Sequence, residues 1–475
     1  MSEKEVRVLL IDPAATRRVY LETNVRAGAP LLPSLGLASI AGALKKEGFS
    51  VRILDLDLVD VGGGDTELAI RKTIAEFDPD ICGLTSITPT WNAMLDTAKV
   101  VKSASPSAST VCGGIHTSLF PDDTMANPEI DMVIRGEADF SLNELISSNS
   151  PSDIPGLVYR NTNGLTTNKP RKLIEDLDTL PYPAWELFDI SAYGMSRLTE
   201  RRRPSGYLET SRGCPFGCIY CDKTVFGRTF RAKSPERVAA EFEIMSDRHG
   251  FRELHIVDDG FSTDLDRAKE ICRLLIERKN TVIFNMFNGV RADRFDDELA
   301  ELLKKAGCYQ VAFGVESGND RVLESVSKGT SKEIIRRATA SCKKFGLETF
   351  GFFMIGFPED TPESVRETID FAIELDMTIS KYDIAVPLPG TALFDFYDAR
   401  GMLKTRDWRA YIFHRTDEPL FDHPNMSWEE IKALYYIAFR RTYLRLGYIA
   451  ARFVHGLRTG GLWYNFVYFL KSRWR

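Results

Sequence analysis

At 475 residues, with 44% apolar and 27% charged content, the chain has an ordinary globular composition and room for two or three domains. A net charge of −6 argues against a general nucleic-acid binder, and no apolar run reaches the roughly 18 residues of a membrane-spanning helix. Eight cysteines, three of them clustered, and an opening Met-Ser-Glu-Lys-Glu-Val without an apolar signal region predict a cytoplasmic protein without a disulfide framework.

The apolar run Val6–Ile11 predicts a strand. Leu35–Glu47 has helical periodicity, with Ser34 as N-cap and Gly48 as stop. Val51–Leu56 predicts a strand, Thr66–Phe77 a helix, Ile81–Thr85 a strand and Trp91–Ser103 a helix. Thr110–Cys112 and Met132–Ile134 predict short strands, followed by a helix near Phe140–Ile146. This alternation over residues 1–150 predicts an α/β, Rossmann-like domain: a parallel sheet with helices on both faces and its ligand at the carboxyl ends of the strands. Those ends carry Thr85, Ser86, Ile87 and Thr88, then Gly113, Gly114 and His116, then Arg135, Gly136 and Glu137. Small residues there let a large flat ligand approach the backbone. The glycines at 62–64 are only a turn, since they lack the strand and helix context of a dinucleotide site.

Residues 151–204 are rich in Pro, Asn, Ser and Thr, and the run Leu180-Pro181-Tyr182-Pro183-Ala184-Trp185 forbids a long helix. The stretch reads as a linker lying across both domains, and Arg201, Arg202 and Arg203 read as a solvated run. Next comes Gly-Cys-Pro-Phe-Gly-Cys-Ile-Tyr-Cys, with Cys214, Cys218 and Cys221 in a C-x3-C-x2-C pattern. Three thiolates so close leave one over if two pair as a disulfide. They suit three irons of one [4Fe–4S] cube, with the fourth iron open because no fourth cysteine lies nearby. A zinc knuckle or three unrelated thiols is the bland alternative.

From residue 205 to 395 the pattern repeats as about six βα units. Strands are expected at Tyr207–Thr210, Glu253–Val257, Val282–Phe287, Tyr309–Phe313, Thr349–Ile355 and Lys381–Ala385. Helices are expected at Pro235–Arg248, Leu265–Lys279, Asp296–Lys305, Ser331–Phe345 and Pro362–Leu375. A site at the carboxyl ends of these strands would collect Asp258 and Asp259, Asn288 and Arg291, Glu316, and Gly356. Cys82, Cys112, Cys272, Cys308 and Cys342 read as small buried hydrophobes. Residues 396–475 read as a helical, basic and aromatic region, with a helix at Trp428–Arg441. From residue 431 to the end there are nine Lys/Arg and no Asp/Glu. Such a tail suits an anionic membrane surface, which would make the protein peripheral on the inner face of the membrane; a helical cap on the barrel mouth is the alternative.

The loop from Cys214 to Cys221, with Tyr220 before its last cysteine, resembles the cluster loop of radical S-adenosylmethionine (SAM) enzymes. The 1–150 segment resembles the cobalamin-binding domain that precedes many radical SAM domains, and the Leu-Pro-x-Pro-Ala-Trp run resembles the linker of those proteins. The resemblance implies a partial (β/α)6 barrel and three cofactors: a [4Fe–4S] cluster on Cys214, Cys218 and Cys221, SAM, and cobalamin. It further implies that Tyr220 contacts SAM, and that SAM meets Asp258 and Asp259 at its methionyl amine, Glu316 at its ribose, and the backbone around Gly356 at its adenine. Asn288 and Arg291 would reach the SAM carboxylate or substrate, or make structural contacts. Cobalamin would meet Ser86, Thr88, Gly113, Gly114, His116 and Glu137. The Asp-x-His-x-x-Gly motif of proteins that ligate cobalt through histidine is absent, so no histidine is expected below the cobalt. A methylthiotransferase would need three further cysteines in the first domain, which offers only Cys82 and Cys112.

The implied activity is C-methylation of an unactivated carbon on a lipid-like or other amphipathic substrate, with an electron donor such as ferredoxin or flavodoxin. Ring formation or oxidation on the same architecture, a radical SAM enzyme without cobalamin, and an iron–sulfur electron-transfer or sensor protein are the alternatives.

Overall fold

The computed structural model describes residues 6–14, 31–148, 150–195, 199–459 and 463. Its first sheet contains β1 (Arg7–Asp12), β2 (Ser50–Asp55), β3 (Ile81–Thr85), β4 (Ser109–Gly113), β5 (Met132–Ile134), β6 (Leu157–Asn161) and β7 (Gly164–Thr167). The spatial order is β2-β1-β3-β4-β5-β6-β7. The first five strands run parallel, and β6 and β7 add an antiparallel hairpin at one edge. The expected linker therefore supplies two strands to the first sheet before it crosses over. Parallel strands buried on both faces read as continuous apolar runs; Val8 to Ile11 are all almost fully buried between two apolar layers. Ser34 caps the helix Leu35–Lys46 as expected, its hydroxyl accepting from the Leu37 N–H.

The rest of the linker joins the two domains physically. Tyr182 packs against the helix of the first domain, its carbonyl oxygen 2.3 Å from where a Cβ on Gly42 would sit. Ala184 N–H donates to the Ala38 carbonyl at 2.9 Å, and the Trp185 ring meets Phe251 of the second domain at 5.7 Å. The expected solvated arginines are engaged as well: Arg201 lies over the Tyr309 ring at 4.1 Å, and the Arg201 and Arg202 amides both donate to Glu253 at 2.7 Å.

The second sheet contains β8 (Ser205–Leu208), β11 (Glu253–Ile256), β12 (Ile283–Val290), β13 (Cys308–Glu316), β14 (Glu348–Ile355) and β15 (Ile379–Ile384), all parallel, in the order β15-β14-β13-β12-β11-β8. Its two edges do not pair, so the barrel stays open. A separate two-stranded ribbon, β9 (Ser211–Arg212) and β10 (Arg231–Ala232), closes the base of the loop that carries the three cysteines. Cys82, Cys112, Cys272, Cys308 and Cys342 are all buried, and burial pushes their thiols up, that of Cys82 to about 12. They are core residues, as expected.

The C-terminal helix Trp428–Tyr443 packs on the helix Pro362–Leu375 and along β15, burying Ile431, Leu434, Tyr435 and Ala438. The Tyr443 hydroxyl donates to the Ser380 carbonyl at 2.7 Å and accepts from its N–H at 3.1 Å. This element covers the open edge of the barrel, where an exposed strand would present a row of unpaired backbone groups, and its Ile431 reaches Gly356 at the carboxyl end of β14. Among the described residues no helix is long and apolar enough to cross a membrane. The aromatic and basic residues beyond Trp463 lie outside the described residues.

Candidate active site

The carboxyl ends of the first sheet, together with the ends of β8 and β11 and the loop after Cys221, face one cavity of about 400 Å³. Ser86, Ile87, Gly114, Ile115 and Glu137 line it from the first domain, the Leu180–Trp185 run closes one side, and Tyr207, Asp222, Lys223 and Asp259 line it from the barrel. On the first-domain wall Gly114 has φ +106°, and a Cβ there would lie 2.3 Å from the Ser86 carbonyl oxygen, so only glycine lets the two loops meet. The Ser86 hydroxyl is buried with no hydrogen-bond partner, and Ile87 is half exposed at the rim. An apolar rim around an orphaned hydroxyl is the lining expected of a ligand site.

Three of the expected cobalamin contacts, Thr88, Gly113 and His116, lie elsewhere. His116 is fully buried between the rings of Trp91, Phe120 and Trp408, at centroid distances of 5.1, 4.9 and 5.1 Å. Its Nδ1 is 3.3 Å from the hydroxyl of Thr88, which is also buried. Burial pushes the imidazole down to about 4, so the ring stays neutral at pH 7. Neither residue lines the cavity, nor does Gly113. They fasten the first domain to the C-terminal segment through Trp408.

Glu137 does line the cavity, but its carboxylate is occupied. It accepts from Arg231 Nη1 at 2.9 Å, from Arg212 Nη1 at 3.2 Å and from the Ile174 N–H at 2.7 Å. Arg212 also forks onto Asp139 at 2.8 and 3.0 Å and reaches Glu209 at 2.7 Å. Burial opposes the charge on Asp139, and the Arg212 guanidinium overrides it, holding the carboxyl below its usual range. Arg212 and Arg231 stand opposite each other on β9 and β10. The base of the cysteine loop is thus clamped to the first domain by buried charge. Neither arginine carries a local signal in the sequence.

Within the loop, Cys214 is buried, Cys218 half-buried and Cys221 exposed, none of them in a disulfide. The Lys223 ammonium lies beside Cys221 and acts also on Cys214 and Asp259. Among the described residues no three Cys, His, Asp or Glu side chains converge as on a single metal ion. A cube does not require that, since it spreads its three thiolates over three irons. The donor set fits such a cube: three sulfurs on one short loop, with a cation next to the outermost.

The strand-end residues divide into bracing and facing groups. Asp258 is buried and accepts from the Thr210 N–H and the Ser211 hydroxyl, both at 2.6 Å, and from the Thr210 hydroxyl. It holds the chain entering the ribbon with three accepted hydrogen bonds, two of them on Oδ2. Asp259 is the exposed member of the pair; it accepts from the Gly213 N–H at 3.2 Å and lines the cavity. In the run expected beside the adenine, the Gly356 and Phe357 N–H groups both donate to Asp360 Oδ2 at 3.0 Å. Burial pushes Asp360 up to about 6 against those donors. Asn288 donates to the Val257 and Asp258 carbonyls, and Arg291 stacks on Phe216 at 3.5 Å while donating to the Lys328 carbonyl at 2.7 Å. Both make structural contacts. Glu316 pairs with Lys328 at 2.7 Å, and the same ammonium donates to the Tyr220 hydroxyl at 3.2 Å. Sequence reasoning missed Lys328 and Lys223; only the latter, two residues beyond Cys221, had a signal in its position.

The profile of the radical SAM superfamily matches residues 208–372, and that of the B12 binding domain matches residues 24–146. An uncharacterized methyltransferase of Pyrococcus horikoshii is 34% identical over 451 residues, covering 93% of each chain. The chain belongs to the cobalamin-binding radical SAM enzymes. The cytidylyl-2-hydroxyethylphosphonate methyltransferase of Streptomyces wedmorensis is 30% identical, over 82% of this chain and 80% of its own. The solved structure of the radical SAM methyltransferase TsrM of Kitasatospora setae, with cobalamin and a [4Fe–4S] cluster bound, shares the fold at a TM-score of 0.70 and 20% identity, covering 91% of each chain. As a cobalamin-binding radical SAM enzyme the chain uses a [4Fe–4S] cluster, SAM and cobalamin, and the orphaned Ser86 hydroxyl and the Gly114 cradle fit a corrin held without a histidine ligand.

Proposed function

We propose that this cobalamin-dependent radical SAM enzyme methylates an unactivated carbon of a lipid-like or other amphipathic substrate. The observation that carries the reading is the shared cavity: the carboxyl ends of the first sheet face Asp222 and Lys223, which follow Cys221 directly. Bound there, the cluster with SAM supplies hydrogen-atom abstraction and the corrin supplies a methyl group. In this reading Cys214, Cys218 and Cys221 hold the cluster, and an electron donor such as ferredoxin or flavodoxin reduces it. Asp259 and Lys223 receive the charged ends of the SAM amino acid, and Glu316 receives its ribose. Ser86 and Gly114 hold the corrin edge, while Ile87, Ile115 and Tyr182 exclude water from the space between. After anaerobic reconstitution with iron, sulfide and hydroxocobalamin, about four irons and about one cobalt per chain are expected. With dithionite, methyl-labelled SAM and a lipid extract, label should move into the organic phase. Iron without cobalt would remove the methyl donor. A product lighter by hydrogens, with no label, would instead favour ring formation or oxidation.

The C-terminal helix Leu446–Thr459 supports an amphipathic substrate met at a membrane surface. Leu446, Ile449, Phe453 and Leu457 recur at helical spacing, and their exposures are 85, 43, 52 and 59%. Arg445 and Arg452 flank them. The body claims part of this charge, since Arg445 pairs with Asp376 at 3.1 Å and Arg441 with Asp370 at 2.8 Å. The apolar stripe, more than the charge, is thus what a bilayer would bury. Phe453→Glu with Leu457→Glu is expected to stop the protein floating with vesicles rich in phosphatidylglycerol. Equal flotation of parent and variant would remove the membrane argument. Deleting everything after Arg441 is a poorer test, because Tyr443 and Tyr448 bond to Ser380 and Thr378 in the barrel domain.

A further inference from the structure

Glu316 ends β13 with φ +63°, a left-handed conformation that is strained for a non-glycine residue. The ladder between β13 and β14 shifts register at the same place. Something must hold this carboxylate in position. The partner is Lys328, a buried residue on the loop after the short helix Asp320–Ser325. Its ammonium gives one N–H to Glu316 Oε1 at 2.7 Å and a second to the Tyr220 hydroxyl at 3.2 Å. The pair lies directly over Gly314: a Cβ there would be 2.5 Å from Glu316 Oε1 and 2.6 Å from Lys328 Nζ. Only glycine at 314 leaves room for the ion pair there.

The same loop braces the cysteine loop at two further points. The Ile219 N–H donates to the Val326 carbonyl at 3.2 Å. Arg291 stacks on Phe216 while donating to the Lys328 carbonyl. Tyr220 lies between Cys218 and Cys221, so a single ammonium connects the loop of the cluster ligands to the carboxylate at the end of β13.

We propose that Lys328 is a positioning residue that couples the cluster loop to the nucleoside side of the SAM site. It fixes the Glu316 carboxylate for the ribose hydroxyls and holds the Tyr220 hydroxyl at the same time. This rests on the reading that Glu316 faces the SAM ribose. A neutral side chain at 328 frees the carboxylate from its cation and leaves the Tyr220 hydroxyl only its own contact with Glu316, so SAM binding and the response of the cluster to SAM should weaken together.

The test uses reconstituted parent, Lys328→Met and Lys328→Arg proteins. Iron content and circular dichroism report cluster and fold, equilibrium dialysis with labelled SAM reports affinity, and EPR of the reduced cluster with and without SAM reports coupling. Lys328→Met is expected to keep its iron and fold, to bind SAM on the order of tenfold more weakly, and to lose most of the SAM-induced EPR change at concentrations that saturate the parent. Lys328→Arg, which keeps the cation, should recover part of both. Lys328→Met with parental affinity and EPR response would overturn the inference. If that variant does not fold, Tyr220→Phe decides, since it removes only the bridging hydroxyl: a diminished EPR change supports the bridge and an unchanged one overturns it. A parent protein that holds four irons but binds no SAM would overturn the SAM reading and this inference together. A parent that binds SAM, with variants that match it, overturns this inference alone.

Discussion

Cys218→Ala protein, reconstituted beside the parent, is expected to lose the visible iron–sulfur absorbance and reductive SAM cleavage while keeping its circular dichroism. The residue is half-buried on the loop and belongs to none of the hydrophobic clusters, so removing its sulfur opens no cavity in the core. The loop keeps its other attachments: Ile219 N–H to the Val326 carbonyl at 3.2 Å, and Leu393 N–H to the Ile219 carbonyl at 2.9 Å. What disappears is one thiolate of three, and two do not hold a cube with an open fourth iron. Cys272→Ala is the contrasting control. Cys272 lies in the core, so that variant should keep iron and SAM cleavage and lose stability on the order of 1 kcal/mol. SAM cleavage retained in Cys218→Ala would sink the ligand assignment.

Arg212→Ala is expected to lower the first calorimetric unfolding transition more than any single truncation on the protein surface. It leaves Asp139 and Glu209 without their shared cation, and Glu137 with only Arg231. Removing one partner of a buried ion pair costs about 3–5 kcal/mol, chiefly from the charge left behind. Adding Asp139→Asn to Arg212→Ala should recover part of the loss, because the neutral amide no longer needs a counter-charge. Because β9 and β10 anchor both the cysteine loop and the cavity wall, hydroxocobalamin retention should fall with the transition temperature. An unchanged transition in Arg212→Ala would mean that the clamp is not what holds the two domains together.

Strand and helix positions were largely legible because they depend on neighbours two to four residues away. Ser34 caps its helix, Thr66–Phe77 and Pro362–Leu375 are helical over the expected spans, and β3 and β5 match theirs residue for residue. The three cysteines were legible for the same reason, since their spacing is local. The fate of the strand-end side chains was not. A carboxylate at the end of a parallel strand reads the same whether it meets a ligand or an arginine, and Glu137 meets Arg212 and Arg231 from 75 and 94 residues away. Asp258 and Asp259 are adjacent and chemically identical. The loop after β11 turns one inward to Thr210 and Ser211 and leaves the other at the cavity.

The sequence by itself determined the two-domain α/β architecture and the cluster motif, because each rests on short-range periodicity or on residue spacing within one loop; the cofactor class followed from the resemblance of those stretches to a known family. Only the tertiary structure decided which polar groups are spent on the fold and which remain for ligands. His116 went to an aromatic cage built with Trp408, Glu137 to an interdomain clamp, and the Gly356 amide to Asp360, while Lys328 emerged beside Glu316 and Tyr220. The physical reason is common to all of them. A buried polar group must be paired, and its partner is chosen by chain packing across long separations that local sequence does not record.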